Sequence, residues 1–348
     1  MRFTLVKDFF ITHERTLSWV ALATGFIVDS LTLSRIDLWL DNMILSSYLL
    51  IAGTSIVFIH HLKASSRIQL FLPYTLQYAF GGLFSGFIIF YSRSGTLIEN
   101  WPFLIILVTL LFGNEFFKEK YTQYIFHISI YFIALFSFFI FFIPVLIGKM
   151  GAFIFILSGT VSLITITLLI TLIQKKRNNN THQRYVYTSV VSLFIVFNLL
   201  YFTNSIPPIP LSLKSIGIYS NVERSGNDYI LSQEKKKWFA FETPAHIHIT
   251  KNTPLYAYSA IFAPTKITES ISHIWLYKKE GSWERETTIP FSISGGRDEG
   301  YRGYTTKESL REGLWRVEVR TERGQLIGRK TFLLIYTDTL PPQEKVVK

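Results

Sequence analysis

The feature that most limits this chain is a succession of long apolar runs in its first 204 residues, at 17–33, 43–62, 68–91, 101–117, 124–147, 152–173 and 186–202. A bilayer core about 30 Å thick takes roughly 17 to 25 such residues per helix, and a backbone inside it must satisfy its own N–H and C=O groups. The runs predict an α-helical polytopic membrane bundle of about seven transmembrane helices. Asp29 interrupts the first run, and the purely apolar part of the fourth is short, at 104–112. A count of six would put the C-terminal part on the opposite side.

The basic residues between the runs favour seven crossings. Arg2, Lys7, Arg15, Lys63, Arg67, Lys118, Lys120, Lys175, Lys176, Arg177 and Arg184 flank alternate ends, 11 in all, whereas Arg35, Arg93 and Lys149 flank the others, 3 in all. Cytoplasmic loops collect Lys and Arg, so the N-terminus is expected in the cytoplasm and the C-terminal domain outside it. The first run lacks a small-residue cleavage site and reads as an anchor rather than a cleavable signal. Residues 1–204 hold 14 Lys and Arg with 8 Asp and Glu, while 205–348 hold 21 with 16. A pI near 9.6 follows from such loops, and no recognition motif points to nucleic acid. Cysteine is absent, which excludes disulfides, thiolate metal sites and a cysteine nucleophile.

Polar groups within the apolar runs sit near their ends: Asp29 in the first, His60 and His61 in the second, His127 in the fifth. A polytopic membrane enzyme or small-solute transporter is the rival reading. It needs a deep polar cavity holding two or more of Asp29, Gln77, His127 and Asn198. Gly81, Gly82 and Gly86 make a small-residue pattern that lets a neighbouring helix approach. The aromatic-rich stretch 125–142 is expected to face lipid or core and is assigned no chemistry.

Beyond residue 204 the pattern changes. Pro207, Pro208 and Pro210 cannot continue a helix, so 205–213 reads as a Pro-rich linker. Residues 214–348 then alternate apolar with polar side chains over short runs, the period of half-buried strands. Strands are expected at 214–221, 238–241, 245–250, 255–262, 270–278, 283–293, 313–321 and 325–336, making a mainly-β, immunoglobulin-like sandwich domain. The last two form a hairpin around Gly324, and Trp275 and Trp315 point inward. The stretch 221–237, polar and Lys-rich, has no assigned place.

The densest chemistry lies at 295–307. Gly295 and Gly296 permit backbone geometries with N–H groups turned outward, and Arg297, Arg302 and Lys307 add three cations beside Tyr301 and Tyr304. Two readings stand: recognition of an anion by guanidinium forks, or internal bracing in which the cations pair with Asp298, Glu299 and Glu308. Arg297, Tyr301, Arg302, Tyr304 and Lys307 are therefore the candidate anion or partner contacts. His246, His248 and His273 have zinc-ligand chemistry, but no spacing fixes the third beside the other two, so no metal is expected and no cofactor either. Glu284 and Glu286 read as a solvated strand edge. Nucleophile elbows, paired S-x-x-K motifs and H-E-x-x-H are absent, so the chain leans away from enzymes.

Three segments carry a resemblance: His273-Ile-Trp275; the loop from Gly295-Gly296-Arg297 through Gly300-Tyr301-Arg302 and Tyr304 to Lys307; and Gly313-Leu-Trp315-Arg-Val317-Glu-Val319 with Gly324-Gln325-Leu-Ile327-Gly328. Over about 253–335 the chain resembles bacterial proteins with domain of unknown function 2914, often attached to a multi-helix membrane region. The resemblance implies a bacterial envelope protein with a β-sandwich-like tail, and transfers no activity, substrate or catalytic residue. The expectation is a multi-pass protein of the bacterial cytoplasmic (inner) membrane that presents a periplasmic domain for binding or assembly. Its partners would be the lipid bilayer and an anionic envelope polymer, a lipid headgroup or a partner protein.

Overall fold

A computed structural model of the chain describes residues 14–61, 67–116, 124–174, 181–226, 228–235 and 244–348. The chain divides into two compact units, Met1–Arg93 with Leu97–Ile206, and Pro207–Lys348 with Ser94–Thr96.

The first unit holds seven helices among the described residues: α1 (Glu14–Thr32), α2 (Trp39–His61), α3 (Arg67–Ser94), α4 (Leu97–Phe116), α5 (Tyr124–Ile147), α6 (Ala152–Gln174) and α7 (Thr181–Phe202). Among the described residues, four stretches are long and apolar enough to cross a membrane: Trp39–His61, Tyr124–Ile147, Ala152–Gln174 and Gln183–Phe202. The seven expected apolar crossings are thus seven helices, four of which meet that standard. Asp29 leaves α1 with a shorter apolar part, Leu22–Thr32, and α4 is apolar only over Leu97–Gly113. Gln69, Gln77 and Arg93 dilute α3. Most of the basic loop residues expected in the cytoplasm lie outside the described residues.

Helix α5 is the centre of this unit, with Phe132, Ala134, Phe136 and Phe141 fully buried. The aromatic stretch 125–142 is therefore largely core. Phe136 stacks on Phe197 of α7 at 4.7 Å and on Phe194 at 5.8 Å. A Cβ on Gly159 of α6 would lie 2.7 Å from the Phe194 ring and 2.8 Å from the Phe136 ring, so the absent side chain makes room for both. Gly82 and Gly86 of α3 serve likewise, meeting Tyr48 and Leu45 of α2. Outward residues such as Leu31, Leu40, Phe71 and Phe153 are exposed. An apolar exterior of this kind suits lipid rather than water.

The second unit holds eleven strands among the described residues: β1 (Ser212–Tyr219), β2 (Asn221–Ser225), β3 (Asp228–Glu234), β4 (Ala245–Ile249), β5 (Leu255–Phe262), β6 (Thr268–Lys279), β7 (Ser282–Ser294), β8 (Tyr301–Lys307), β9 (Gly313–Thr321), β10 (Leu326–Tyr336) and β11 (Gln343–Val347). They form three sheets, ordered β1-β5-β8, β4-β10-β9-β6-β7 and β11-β3-β2. One core, built from Ile218, Leu255, Ala257, Trp275, Trp315, Phe332 and their neighbours, joins the first two sheets face to face. A second cluster, with Tyr219, Val222, Leu231, Tyr258 and Ala260, joins the other face of β1-β5-β8 to the small third sheet.

Seven of the eight expected strands are present, and 238–241 lies outside the described residues. Four strands are additions. The unplaced stretch 221–237 contains β2 and β3, whose inward Val222 and Leu231 are buried while Glu223 and Arg224 are exposed. Residues 301–307, read as loop for their glycine and cations, are a strand paired with β5. The fourth is β11, which pairs with β3. Strand β1 starts at Ser212, inside the expected linker 205–213, and Ile209 and Leu211 are buried. The β9–β10 hairpin turns at Gly324, with φ 84° and its N–H donated to the Thr321 carbonyl at 2.8 Å. Trp275 and Trp315 are both inward, as their alternation predicts.

Candidate functional site

The loop between β7 and β8 is held from below by backbone. Gly295 donates its N–H to the Ile267 carbonyl at 2.9 Å, and Gly296 donates to the Ala263 carbonyl at 3.1 Å. This corrects the expectation of outward N–H groups: both are spent on the protein, so the loop offers ligands its side chains. Close approach explains the first glycine, because a Cβ there would lie 1.8 Å from the Pro264 carbonyl oxygen. Gly300 closes a turn by donating to the Arg297 carbonyl at 3.0 Å; its φ is 85° and an added Cβ would meet the Ile261 backbone at 2.8 Å. Gly295→Ala is expected to displace this turn and destabilise the domain by about 1–3 kcal/mol, as overpacking does. Thermal unfolding of the full chain, with hydrogen exchange across 295–300, measures both effects.

The turn displays Arg297, Asp298 and Glu299, and Arg297 lies 5.9 Å from the centre of the Tyr301 ring. Strand alternation places Arg302 and Tyr304 on one face of β8, and Tyr301, Thr305 and Lys307 on the other. Arg302 donates from Nη1 to Asp228 Oδ1 at 3.3 Å and to the Lys348 carbonyl at 3.0 Å. Tyr304, 42% exposed, meets Tyr229 and Tyr256, each with ring centres 6.0 Å away. Tyr258 lies beneath, packed against Tyr219 and Tyr229. Its burial pushes the phenol up to about 12, with the Arg302 charge pulling the other way. Asp228, Gly296, Arg297, Asp298, Glu299, Gly300 and Arg302 enclose an open depression of about 570 Å³.

Of the five candidate contacts, Arg297 and Arg302 line the depression, Tyr304 shares the strand face of Arg302, Tyr301 lies on the other face near Arg297, and Lys307 stands apart, opposite Leu255 at the far end of β8. Asp228, Tyr229 and Tyr256 were missed. Tyr256 falls in a strand that the alternation identifies, and Asp228 and Tyr229 precede the Ile230-Leu231 pair that makes β3 a strand. Bracing is also present in part, since Arg302 pairs with Asp228 of β3.

The three histidines stand apart. His246 is exposed on β4, and His248 holds Glu234 through Nδ1 at 2.9 Å. His273 is buried between the two large sheets, with Nε2 2.8 Å from Ser259 Oγ of β5 and Nδ1 2.9 Å from Thr305 Oγ1 of β8. Trp275 donates its indole N–H to the same Thr305 oxygen at 3.4 Å. Burial lowers the His273 pKa to about 4. The network cross-links two sheets. Among the described residues no three His, Cys, Asp or Glu side chains come together as metal ligands. In the helical unit His127 Nδ1 lies 3.3 Å from His60 Nε2, and Asn198 donates to the Phe194 carbonyl of its own helix.

Residues 268–333, from β6 into β10, match the family model described as Protein of unknown function (DUF2914). The matched stretch contains the β7–β8 loop, Arg302, Tyr304 and His273. No curated protein matches the chain. Among solved structures, the alkylpurine DNA glycosylase AlkC of Pseudomonas fluorescens, bound to DNA containing an abasic site analogue, is similar at 10% identity and TM-score 0.20, over 86% of this chain and 99% of that one. A β-glucosidase from Listeria innocua is similar at 10% identity and TM-score 0.19 in two complexes. With gluconolactone the match covers 37% of this chain and 18% of that one; with isofagomine it covers 39% and 19%. Likenesses this low carry no argument about fold or chemistry.

Proposed function

We propose that this is a multi-pass protein of the bacterial cytoplasmic (inner) membrane whose helical bundle anchors a periplasmic strand domain used for binding or assembly, without enzymatic activity. In this reading all seven helices cross. The 28 residues of α3 span about 42 Å at 1.5 Å each, enough despite their polar positions. The facing sheets are an immunoglobulin-like sandwich extended by a third sheet. Support for the topology comes from the charge tally, 11 basic residues on one set of ends against 3 on the other.

The observation that carries the binding role is one open depression lined by Arg297 and Arg302, with exposed Tyr304, on the strand face of Arg302, held by two neighbouring rings. Tyr and Arg are the side chains that most often anchor interfaces. An envelope polymer is the occupant we favour, with a lipid headgroup or a partner protein as the other outcomes. Because the sequence has no cysteine, Thr339→Cys provides a single reactive thiol. A membrane-impermeant maleimide is expected to label it in intact spheroplasts. The same cells should yield less co-purified envelope polymer from Arg297→Ala with Arg302→Ala than from wild type. Labelling only after lysis, or equal recovery from a folded double variant, refutes the proposal.

A further inference from the structure

We infer that the depression beside Arg302 takes a sugar unit of a glycan, reading its hydroxyls and ring face rather than a charge. This rests on the binding role proposed above and names the chemistry of the occupant. The first argument is the balance of the lining. Asp228, Asp298 and Glu299 set three carboxylates against the two guanidiniums of Arg297 and Arg302. The side chains thus carry a formal charge of −1, and Arg302 already gives its Nη1 to Asp228 and the Lys348 carbonyl. A phosphate or carboxylate only accepts hydrogen bonds, and here it would face three groups that also only accept. A sugar hydroxyl donates and accepts at once. It can give its proton to Asp298 or Glu299 while taking one from a guanidinium, and bonds to charged partners are the stronger kind.

The second argument is independent of charge. Tyr304 shares a strand face with Arg302, two residues away, and stays 42% exposed although it lies in a group of four other tyrosines. Tyr229 and Tyr256 contact it at 6.0 Å each, so its ring is braced before any ligand arrives. A braced ring loses little conformational entropy on binding and presents an apolar face with a wet hydroxyl edge. That combination matches a pyranose, whose C–H face is apolar and whose rim is polar. The depression, at about 570 Å³, falls within the range of small-ligand sites.

The test uses the full-length protein in detergent micelles against a printed array of uncharged oligosaccharides and against immobilised long-chain polyphosphate. We expect retention on uncharged oligosaccharides that changes little between low and high salt. Tyr304→Ala should weaken it by about tenfold or more, Tyr304→Phe should keep it, and Asp298→Asn with Glu299→Gln should weaken it without unfolding the protein. No retention on any uncharged oligosaccharide overturns the inference. In that event, salt-sensitive retention on polyphosphate that Arg297→Ala with Arg302→Ala abolishes leaves the surface as a binding site for anions. If that double variant behaves as wild type on polyphosphate too, the binding role of this surface falls with the inference.

Discussion

Acidification from neutral pH to about pH 4 is expected to cost the strand domain about 3 kcal/mol through the single side chain of His273. The imidazole is fully buried between Ser259 and Thr305, with the Phe291 ring 4.7 Å from its own. Neither hydroxyl partner supplies a negative charge for an imidazolium. Burial therefore sets its pKa at about 4 in the folded chain against 6.5 when exposed. Between those values the unfolded chain binds the proton and the folded chain does not. The stabilisation is complete above pH 6.5, declines as pH falls through this window and levels off below about 4. Glu269, on the same strand, acts with opposite sign: burial first, then the Glu322 charge, raises its pKa, so it regains stability as pH falls toward the ordinary carboxylate range. Denaturant titrations of the full-length protein, followed by near-UV circular dichroism, measure the slope. His273→Gln should remove most of the loss between pH 6.5 and about 4, at a cost at neutral pH from the disturbed Ser259 and Thr305 bonds. A wild-type midpoint that does not move across this window refutes the assignment.

Trp275→Ala is expected to destabilise the same domain by about 3–5 kcal/mol, the range for emptying a large aromatic from a core. Trp275 is fully buried, meets Phe332 edge-on at 6.4 Å and donates to Thr305, so the substitution opens a cavity and removes one bond of the inter-sheet network. Trp283 is the control. It is half-buried on β7, where its ring carries the Arg316 guanidinium at 3.9 Å and the Lys278 ammonium at 6.0 Å. Trp283→Ala should cost about 1 kcal/mol, because partly exposed cation–π contacts are modest. The same denaturant titrations separate the two, and equal losses would mean that Trp275 does not hold the sheets together.

Most strands of the two large sheets were legible because small or apolar residues recur at every second position: Ala257, Ser259 and Ile261 point to the core between the sheets on β5, and Trp315, Val317 and Val319 on β9. The third sheet was not. Its strands are short and carry Glu223, Arg224, Gln233 and Glu344 on solvated positions, so too few apolar residues repeat to mark a period. Strand β8 escaped for another reason. Gly303 sits at its inward position because the Phe291 ring occupies the space a Cβ would need, at 2.9 Å, which replaces the expected apolar residue with a glycine.

By itself the sequence determined the order of the molecule, helices and then strands, and singled out Arg297, Tyr301, Arg302 and Tyr304, because hydropathy period and residue type are local properties of a chain. It also determined which tryptophans are core, since alternation assigns each a face. Only the tertiary structure decided that Asp228, Tyr229 and Tyr256 join that group, that Lys307 leaves it, and that the loop glycines spend their N–H groups on carbonyls of the 263–267 turn. Those outcomes depend on strand register and on which sheet edge lies beside which loop, and residues 70 or more positions apart, such as Asp228 and Arg302, become neighbours only when the sheets close on one another.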